Sequence, residues 1–460
     1  MQNSASPAVN AHALGDRGPG DPEKVVVVGG GITGCVLAQR LRERWPGAEL
    51  TLLEGSARLG GLSVAGDPDD IGWDRFYHVV TPQDRRLIAW LDELGLGDRL
   101  RFRAARTGFY TDGGLHPFNS PLDFLAFPPL SLPQKVRLAA TILYASRVSD
   151  GAPLEKCTAE SWLRKLSGDG VYDKIWGPLL RAKLGSAHGE AAAAFIWSTI
   201  RRLYATREGE NKAESFGYIS GGYAPVFAAA ERHLQRLGVK VQKGARVAAI
   251  TPGAAPRSLR VRTADGVELA ADRVIFTGPS RALPELCREL PIPEALLGRA
   301  AAQRYLGVIC MVVKLRRALS PYYVLNLTDP GLPFTGVIGL TTLVDPQEVG
   351  GYHLVYLPRY LPDDDPDFQK PDEAFYEPFM AALQRIFWRR GFRPDEVVLW
   401  RVFRTRFVSP LHVLRYDELR LPIPILPGQL YLLNTGRVLG GTLNNNQMIE
   451  EAELGLSEIG

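Results

Sequence analysis

Cysteine is scarce in this chain. The four present, Cys35, Cys157, Cys287 and Cys310, lie far apart, with no C-x-x-C spacing and no histidine close by. That argues against a structural zinc site and against a disulfide framework, and it matches a reducing cytoplasm. Also missing is any run of about 20 apolar residues, the length a membrane span needs. The net charge is only +4 over 460 residues, basic and acidic side chains alternate, and no basic block interleaves with aromatics. A nucleic-acid partner is therefore not expected. No Ser-His-Asp order and no paired-carboxylate spacing points to hydrolysis, and no metal site is expected. Residues 1–23 are small, polar and rich in proline and glycine, without the basic start and apolar run of a signal peptide. They read as a disordered lead-in.

What is present is ordinary globular material, 45% apolar and 23% charged, in a chain long enough for two domains. The most informative stretch opens at Val25. The run "VVVV" suits a parallel strand buried on both faces, and Gly29, Gly31 and Gly34 follow as G-x-G-x-x-G. Leu37, Leu41 and Trp45 then recur at helical spacing, Pro46-Gly47 stops the helix, and "AELTLLE" forms a second buried strand ending on Glu54. In this β-α-β unit Gly29 permits the tight turn, Gly31 allows backbone to approach a pyrophosphate, and Gly34 allows helix to pack on strand. The helix start presents free N–H groups to the phosphate, and Glu54 is placed to accept hydrogen bonds from a ribose.

Farther along, Thr81-Pro82-Gln83-Asp84 reads as a capping box with proline at the first helical position. Residues 80–205 read as mostly helical. Sheet character returns near Gly221, with "VKVQKGARVAAI" as a strand pair and "LRVRTADGVELA" as a hairpin turning at Asp265-Gly266. "DRVIFTGP" is a further buried strand, "RYLGVICMVVKL" and "GGYHLVYLPRYL" belong to a second sheet, and a helix starts near Asn445. Pieces of a Rossmann-type α/β fold thus stand at the start, the middle and the end, with other material between them. The expected division is 24–75, 215–290 and 425–460 for the dinucleotide-binding part, and 76–214 and 291–424 for an α+β substrate domain.

A second glycine pair directly after the ribose acid, Arg58-Leu59-Gly60-Gly61, is not needed for a nicotinamide dinucleotide. G-x-G-x-x-G, Glu54 and then R-x-G-G resembles the flavoprotein family that includes amine oxidases, protoporphyrinogen oxidase and phytoene-type desaturases. "RVAAI" with Val247, "DRVIFTGPSRAL" and "LYLLNTGRVLGGTLNNNQMIEEAELG" extend the resemblance to about a third of the chain. "FYH", "LLRAKLG", "PFTGVIG" and "HLVYLPRYL" are similar to a bacterial oxidoreductase subgroup. The resemblance implies a glutathione-reductase-like fold and FAD as cofactor, held non-covalently because no cysteine follows Cys310. It implies cofactor contacts from Gly29, Gly31, Ile32, Thr33, Gly34, Glu54, Gly55, Arg58, Gly60, Gly61, Leu62, Val247, Thr277, Gly278, Gly436, Asn445 and Asn446. The late segment departs from the family pattern at "TLNNNQ".

Candidates for chemistry lie in "GWDRFYHVVTP". Arg75, Tyr77 and His78 are placed to anchor or polarise a substrate, with Asp74 orienting one of them. Arg181 and Lys183 form a second candidate pair, a lysine near the flavin having precedent in amine oxidases. Tyr218 and Tyr223 are candidates to line the cofactor, Tyr356 and Arg359 the cavity. The leading expectation is an FAD-dependent oxidase or dehydrogenase that moves a hydride from an organic substrate to flavin N5, with dioxygen or another acceptor reoxidising it. The alternatives are a non-redox isomerase resembling UDP-galactopyranose mutase, from which Leu62 departs, and a non-catalytic flavin-binding protein. A peripheral membrane contact is the minor reading of "FLAFPPLSLPQKVRLAATILYA", a buried core helix the main one.

Overall fold

The computed structural model describes residues 21–67, 70–205, 215–438 and 443–459. Nearly all of the expected lead-in, residues 1–20, lies outside them. The valine run forms the strand Lys24–Val28 near the middle of a six-stranded sheet. In spatial order the sheet is Pro424–Leu426, Leu430–Leu432, Arg273–Phe276, Lys24–Val28, Glu49–Glu54 and Lys240–Lys243. All its pairings are parallel except the outermost, between Pro424–Leu426 and Leu430–Leu432. Alternate valines serve opposite faces, as the pleat requires. Val25 and Val27 pack with Leu37, Leu41, Trp90, Val226 and Ile449, so the helices Ile32–Arg44, Arg85–Glu93, Ala224–Arg236 and Asn445–Gly455 cover that side. Val26 and Val28 pack with Ile250, Val261 and Leu283 on the other side, which a three-stranded sheet covers. Burial on both faces is why the run carries no polar alternation.

A seven-stranded sheet follows a different logic. Its spatial order is Val397–Pro410, Tyr305–Leu315, His353–Pro362, Gly336–Gly339, Val324–Leu327, Thr107–Thr111 and Gly114–Pro117. Ile309, Met311 and Val313 turn to the helix Glu373–Phe387, against Phe375, Phe379 and Leu383. Their neighbours Val308, Cys310 and Val312 turn the other way, with Tyr356, onto Ile71, Trp73 and Tyr77. The segment 71–80 therefore lies across this second face. Helices Leu132–Arg147, Ala159–Ser167, Gly177–Leu184 and Ala193–Ala205 enclose a separate aromatic-rich core around Trp162, Tyr172 and Trp176.

Four local readings need correction. Residues 100–117 are strands, not helix, and Thr107–Thr111 pairs in parallel with Val324–Leu327, a partner remote in sequence. The turn at Asp112-Gly113, both with positive φ, is the local signal for it. The helix after Thr81 begins at Arg85. Asp84 accepts from Thr81 N at 2.6 Å, so Thr-Pro-Gln-Asp closes its own turn ahead of the helix. Lys240–Lys243 and Val247–Pro252 are not paired with each other: the first extends the six-stranded sheet, the second belongs to the three-stranded one. The helix Leu132–Arg147 is also less buried than a core helix. Leu132, Val136, Leu143 and Tyr144 are exposed, as are Leu122 and Leu125 beside them in sequence.

The tightest constraint is Gly34, where an added Cβ would stand 1.8 Å from the Gly29 carbonyl oxygen. Gly298 lies inside the helix Glu294–Ala302 with nothing within 4 Å of an added Cβ. Gly34→Ala is expected to cost more than about 2 kcal/mol of stability by forcing helix from strand. Gly298→Ala should gain about 0.5–1 kcal/mol. Thermal melts of the two variants beside the unmodified protein check both directions.

Candidate functional site

Two glycine loops meet backbone to backbone at the end of the first sheet. Gly60 N donates to Gly30 O at 2.9 Å, and Gly31 and Gly60 form a parallel bridge. A Cβ on Gly61 would lie 3.1 Å from Gly31 Cα, and Gly61 has φ +54°. The helix Ile32–Arg44 starts here with no acidic residue in its first turn and no side-chain cap, so its positive end is left for an anion. Ile32 and Thr33 are buried in that turn, while Leu62 is partly buried beside the second loop. Glu54 stands beside the first, with Oε2 accepting from Gly30 N and Oε1 from Ser56 N, each at 2.7 Å. Gly55 lies under Arg246, next to Val247. Thr277 donates to Val28 O at 2.9 Å and closes over Gly29. Asn434 ties Gly278 to Gly436, donating to the first at 2.6 Å and accepting from the second at 2.9 Å.

From Gly61 the chain crosses between the two sheets, and its side chains part to either side. His78 turns back. Its Nε2 lies 3.2 Å from Ser63 Oγ, and its ring meets Tyr223 edge-on at 5.2 Å. Ser63 Oγ donates to Asn445 Oδ1 at 3.1 Å, at the start of the last helix, whose first turn also carries no acid. Arg75 and Tyr77 turn forward. The Arg75 guanidinium stacks on Phe403 at 5.6 Å, and the Tyr77 hydroxyl is 3.1 Å from that of Tyr360. Lys183 stands over the Tyr360 ring at 3.4 Å. Asp74 is buried between them: Oδ1 accepts from Tyr223 N at 2.9 Å, and its carbonyl accepts from Tyr356 Oη at 2.6 Å.

Burial sets the protonation states. It holds His78 neutral by lowering it to about 4, lowers Lys183 to about 7, and keeps Asp74 protonated by raising it to about 8. Of the buried polar atoms that lack a hydrogen bond of good geometry among the described residues, four lie here: Arg75 Nε, His78 Nδ1, Tyr223 Oη and Asn445 Nδ2. Unsatisfied polar atoms inside a fold call for a guest. With the glycine cradle and two acid-free helix starts, they form a set of groups that could hold a long dinucleotide, free N–H groups at Gly29–Gly34 for phosphates and polar side chains at Ser63, His78 and Asn445 for a ring system.

Some candidates lie elsewhere. Arg181 is exposed and is not brought together with Lys183. Arg359 pairs with Asp367 at 2.5 Å, and Tyr218 bonds to Glu348 at 3.1 Å. Arg58 is held by Asp67 at 2.6 Å. Asn446 accepts from Arg86 N and Leu87 N, so its side chain caps a neighbouring helix. Ser63, Tyr360 and Phe403 went unread in the sequence. Only Ser63 left a signal, two residues past the glycine pair.

Known proteins share this fold. The family described as flavin containing amine oxidoreductase matches residues 32–415. The coproporphyrinogen III oxidase of Bacillus subtilis is 26% identical over 303 residues, which are 58% of this chain and 62% of that protein, so the match spans less than two thirds of its length. A solved structure described as a putative protoporphyrinogen oxidase from Exiguobacterium sp. 255-15 superposes with a TM-score of 0.73 at 19% identity, covering 95% of this chain and 98% of that one. Reduced UDP-galactopyranose mutase gives 0.69 at 15% identity, covering 95% and 94%. At such identities the superpositions establish the fold alone, a Rossmann-type FAD-binding α/β fold. The family match covers most of the chain, and with the glycine cradle it gives the assignment: the chain belongs to the flavin containing amine oxidoreductases, a family of oxidoreductases whose cofactor is FAD.

Proposed function

We propose that this protein oxidises a small organic molecule held beside segment 71–80, where Arg75, Tyr77, Lys183, Tyr360 and Phe403 gather, using FAD held by Gly29–Gly34, Glu54, Gly60–Gly61, Val247, Thr277–Gly278 and Asn445. In this reading the FAD-binding part is built on the six-stranded sheet from 24–75, 215–290 and 425–460, joined by the helix Arg85–Glu93 that packs in the same core, and the substrate domain takes the rest of 76–214 with 291–424. The observation that carries this reading is the crossing segment. It leaves the dinucleotide cradle at Gly61, puts His78 on the cofactor side, and puts Arg75 and Tyr77 on the other. Bound there, FAD supplies a two-electron acceptor for a hydride. Dioxygen or another acceptor would take the electrons onward.

The chain's own residues bind, orient and dry the site. Neutral His78 and protonated Asp74 add no charge there, and the rings of Tyr77, Tyr356, Tyr360 and Phe403 exclude water. His78 positions Ser63 and, through it, Asn445. Among the described residues no helix is long and apolar enough to cross a membrane.

The purified protein is expected to be yellow and to release FAD when denatured, as chromatography of the supernatant reads. Gly61→Val is expected to lose most of that flavin, because its Cβ presses on Gly31 at a left-handed φ. Colourless unmodified protein would refute the reading. Asp74 gives an independent check by pH. The unfolded chain ionises it near its ordinary 3.8, whereas the fold keeps the proton up to about 8. Its raised folded value means that stability present at low pH is lost as pH climbs between those two values, by up to about 1.4 kcal/mol per unit. Asp74→Asn keeps the acceptor for Tyr223 N, so its melting advantage over the unmodified protein should widen from pH 5 to pH 8. A difference that stays flat with pH would show Asp74 ionised in the fold.

A further inference from the structure

We propose that the outer face of the helix Glu373–Phe387, with Trp388 at its end, docks a second copy of this chain, the two helices antiparallel across a two-fold axis at Ala381. The helix covers the face of the seven-stranded sheet opposite to Tyr77 and Tyr356. Its residues Phe375, Phe379 and Leu383 meet Ile309 and Met311, whereas Cys310 and Val312 turn to the other side. The surface is therefore separate from the oxidation proposed above. The first observation is what the helix shows to water. Ala374, Pro378, Ala381, Gln384 and Trp388 are all exposed and recur every three or four residues, so they form one stripe. Trp388 keeps helical backbone angles and is 62% exposed. A large aromatic held out in water on a rigid element is a frequent anchor where proteins meet.

The second observation is the charge along that stripe. Glu373 and Glu377 stand one turn apart at its start, and Arg385 and Arg389 one turn apart at its end. A helix dipole favours acids at the start and bases at the end, so the signs alone need no partner. The spacing does, because like charges at i,i+4 repel and each pair works against its own helix. Among the described residues neither glutamate makes an ion pair or a side-chain hydrogen bond. Arg389 makes no ion pair and lies over the Trp388 ring at 5.1 Å. Arg385 reaches Pro330 O at 3.2 Å and Asp329 at 3.6 Å, with half its side chain still exposed. Rotating a copy by half a turn about Ala381 sets each residue before it against the one equally far after it. Glu377 then faces Arg385 of the second copy, Glu373 faces Arg389, and Trp388 faces Ala374. Both like-charge pairs are relieved at once, the indole meets a methyl group, and Ala381 on the axis lets the backbones close to about 8–9 Å. The helix is about 22 Å long, less than a tight interface of roughly 800 Å² per partner needs, so a weak dimer is expected, with Kd on the order of tens of micromolar.

Sedimentation velocity of the purified holoprotein, from about 1 to about 200 µM in low salt, tests this, with a reversible monomer–dimer equilibrium expected. Raising salt to about 0.5 M should weaken it several-fold. Trp388→Ala, Glu373→Arg and Arg389→Glu should each weaken it about tenfold or more, because symmetry counts every substitution twice. Glu373→Arg combined with Arg389→Glu restores opposite charges and should return Kd to within about threefold of the unmodified protein. Flavin content and the melting temperature of dilute protein report separately that each variant folds. Ala381→Cys, on the axis, should give a disulfide-linked dimer under mild oxidation. A monomer at every concentration overturns the proposal and leaves Trp388 to a partner of another kind. So does a dimer that Trp388→Ala leaves intact, a charge swap that associates no better than its single variants, or a dimer that Ala381→Cys does not cross-link.

Discussion

The approach of Gly61 to Gly31 is the contact on which the rest of the molecule depends. Two loops that lack side chains join through a hydrogen bond from Gly60 to Gly30, and no larger residue fits that closeness at a left-handed φ. The junction fixes where the chain leaves the first sheet and in which direction. Because of it, residues 71–80 reach the second sheet in register with Tyr356 and Tyr360, and His78 still reaches back to Ser63. The glycine cradle and the cluster of Arg75, Tyr77, Lys183 and Tyr360 are thus joined by one short piece of backbone.

The two ends differ electrically. Around Asp74 the groups are neutral, and His78, Tyr223 and Asn445 are incompletely bonded, which suits a polar ring system that brings its own donors and acceptors. On the other side the Arg75 guanidinium rests on an aromatic face without an ion pair, and Lys183, lowered to about 7 by burial, rests on another. Placing uncompensated charge in a low-dielectric space costs stability, and folds keep such arrangements where a ligand completes them.

The sequence disclosed what local chemistry dictates. The valine run, Gly29, Gly31 and Gly34, and the apolar run in "RYLGVICMVVKL" specify strand, loop and sheet through the chain's own pattern. It hid what remote partners decide. Thr107–Thr111 is a strand because Val324–Leu327 lies beside it, and nothing in residues 100–117 except the Asp112-Gly113 turn announces that. Lys183 and Arg181 look equivalent two residues apart on a helix. Only the docking of that helix on the strand His353–Pro362 turns one inward onto Tyr360 and leaves the other in water. Arg359 and Tyr360 divide in the same way, because adjacent positions on a strand face opposite sides.

The parallel order of the first sheet has a consequence for synthesis. Lys24–Val28 emerges from the ribosome about 250 residues before its neighbour Arg273–Phe276, and longer still before Leu430–Leu432. An apolar strand meant for burial on both faces must therefore wait, half-paired, through most of translation, a situation that invites chaperone capture and makes final closure slow.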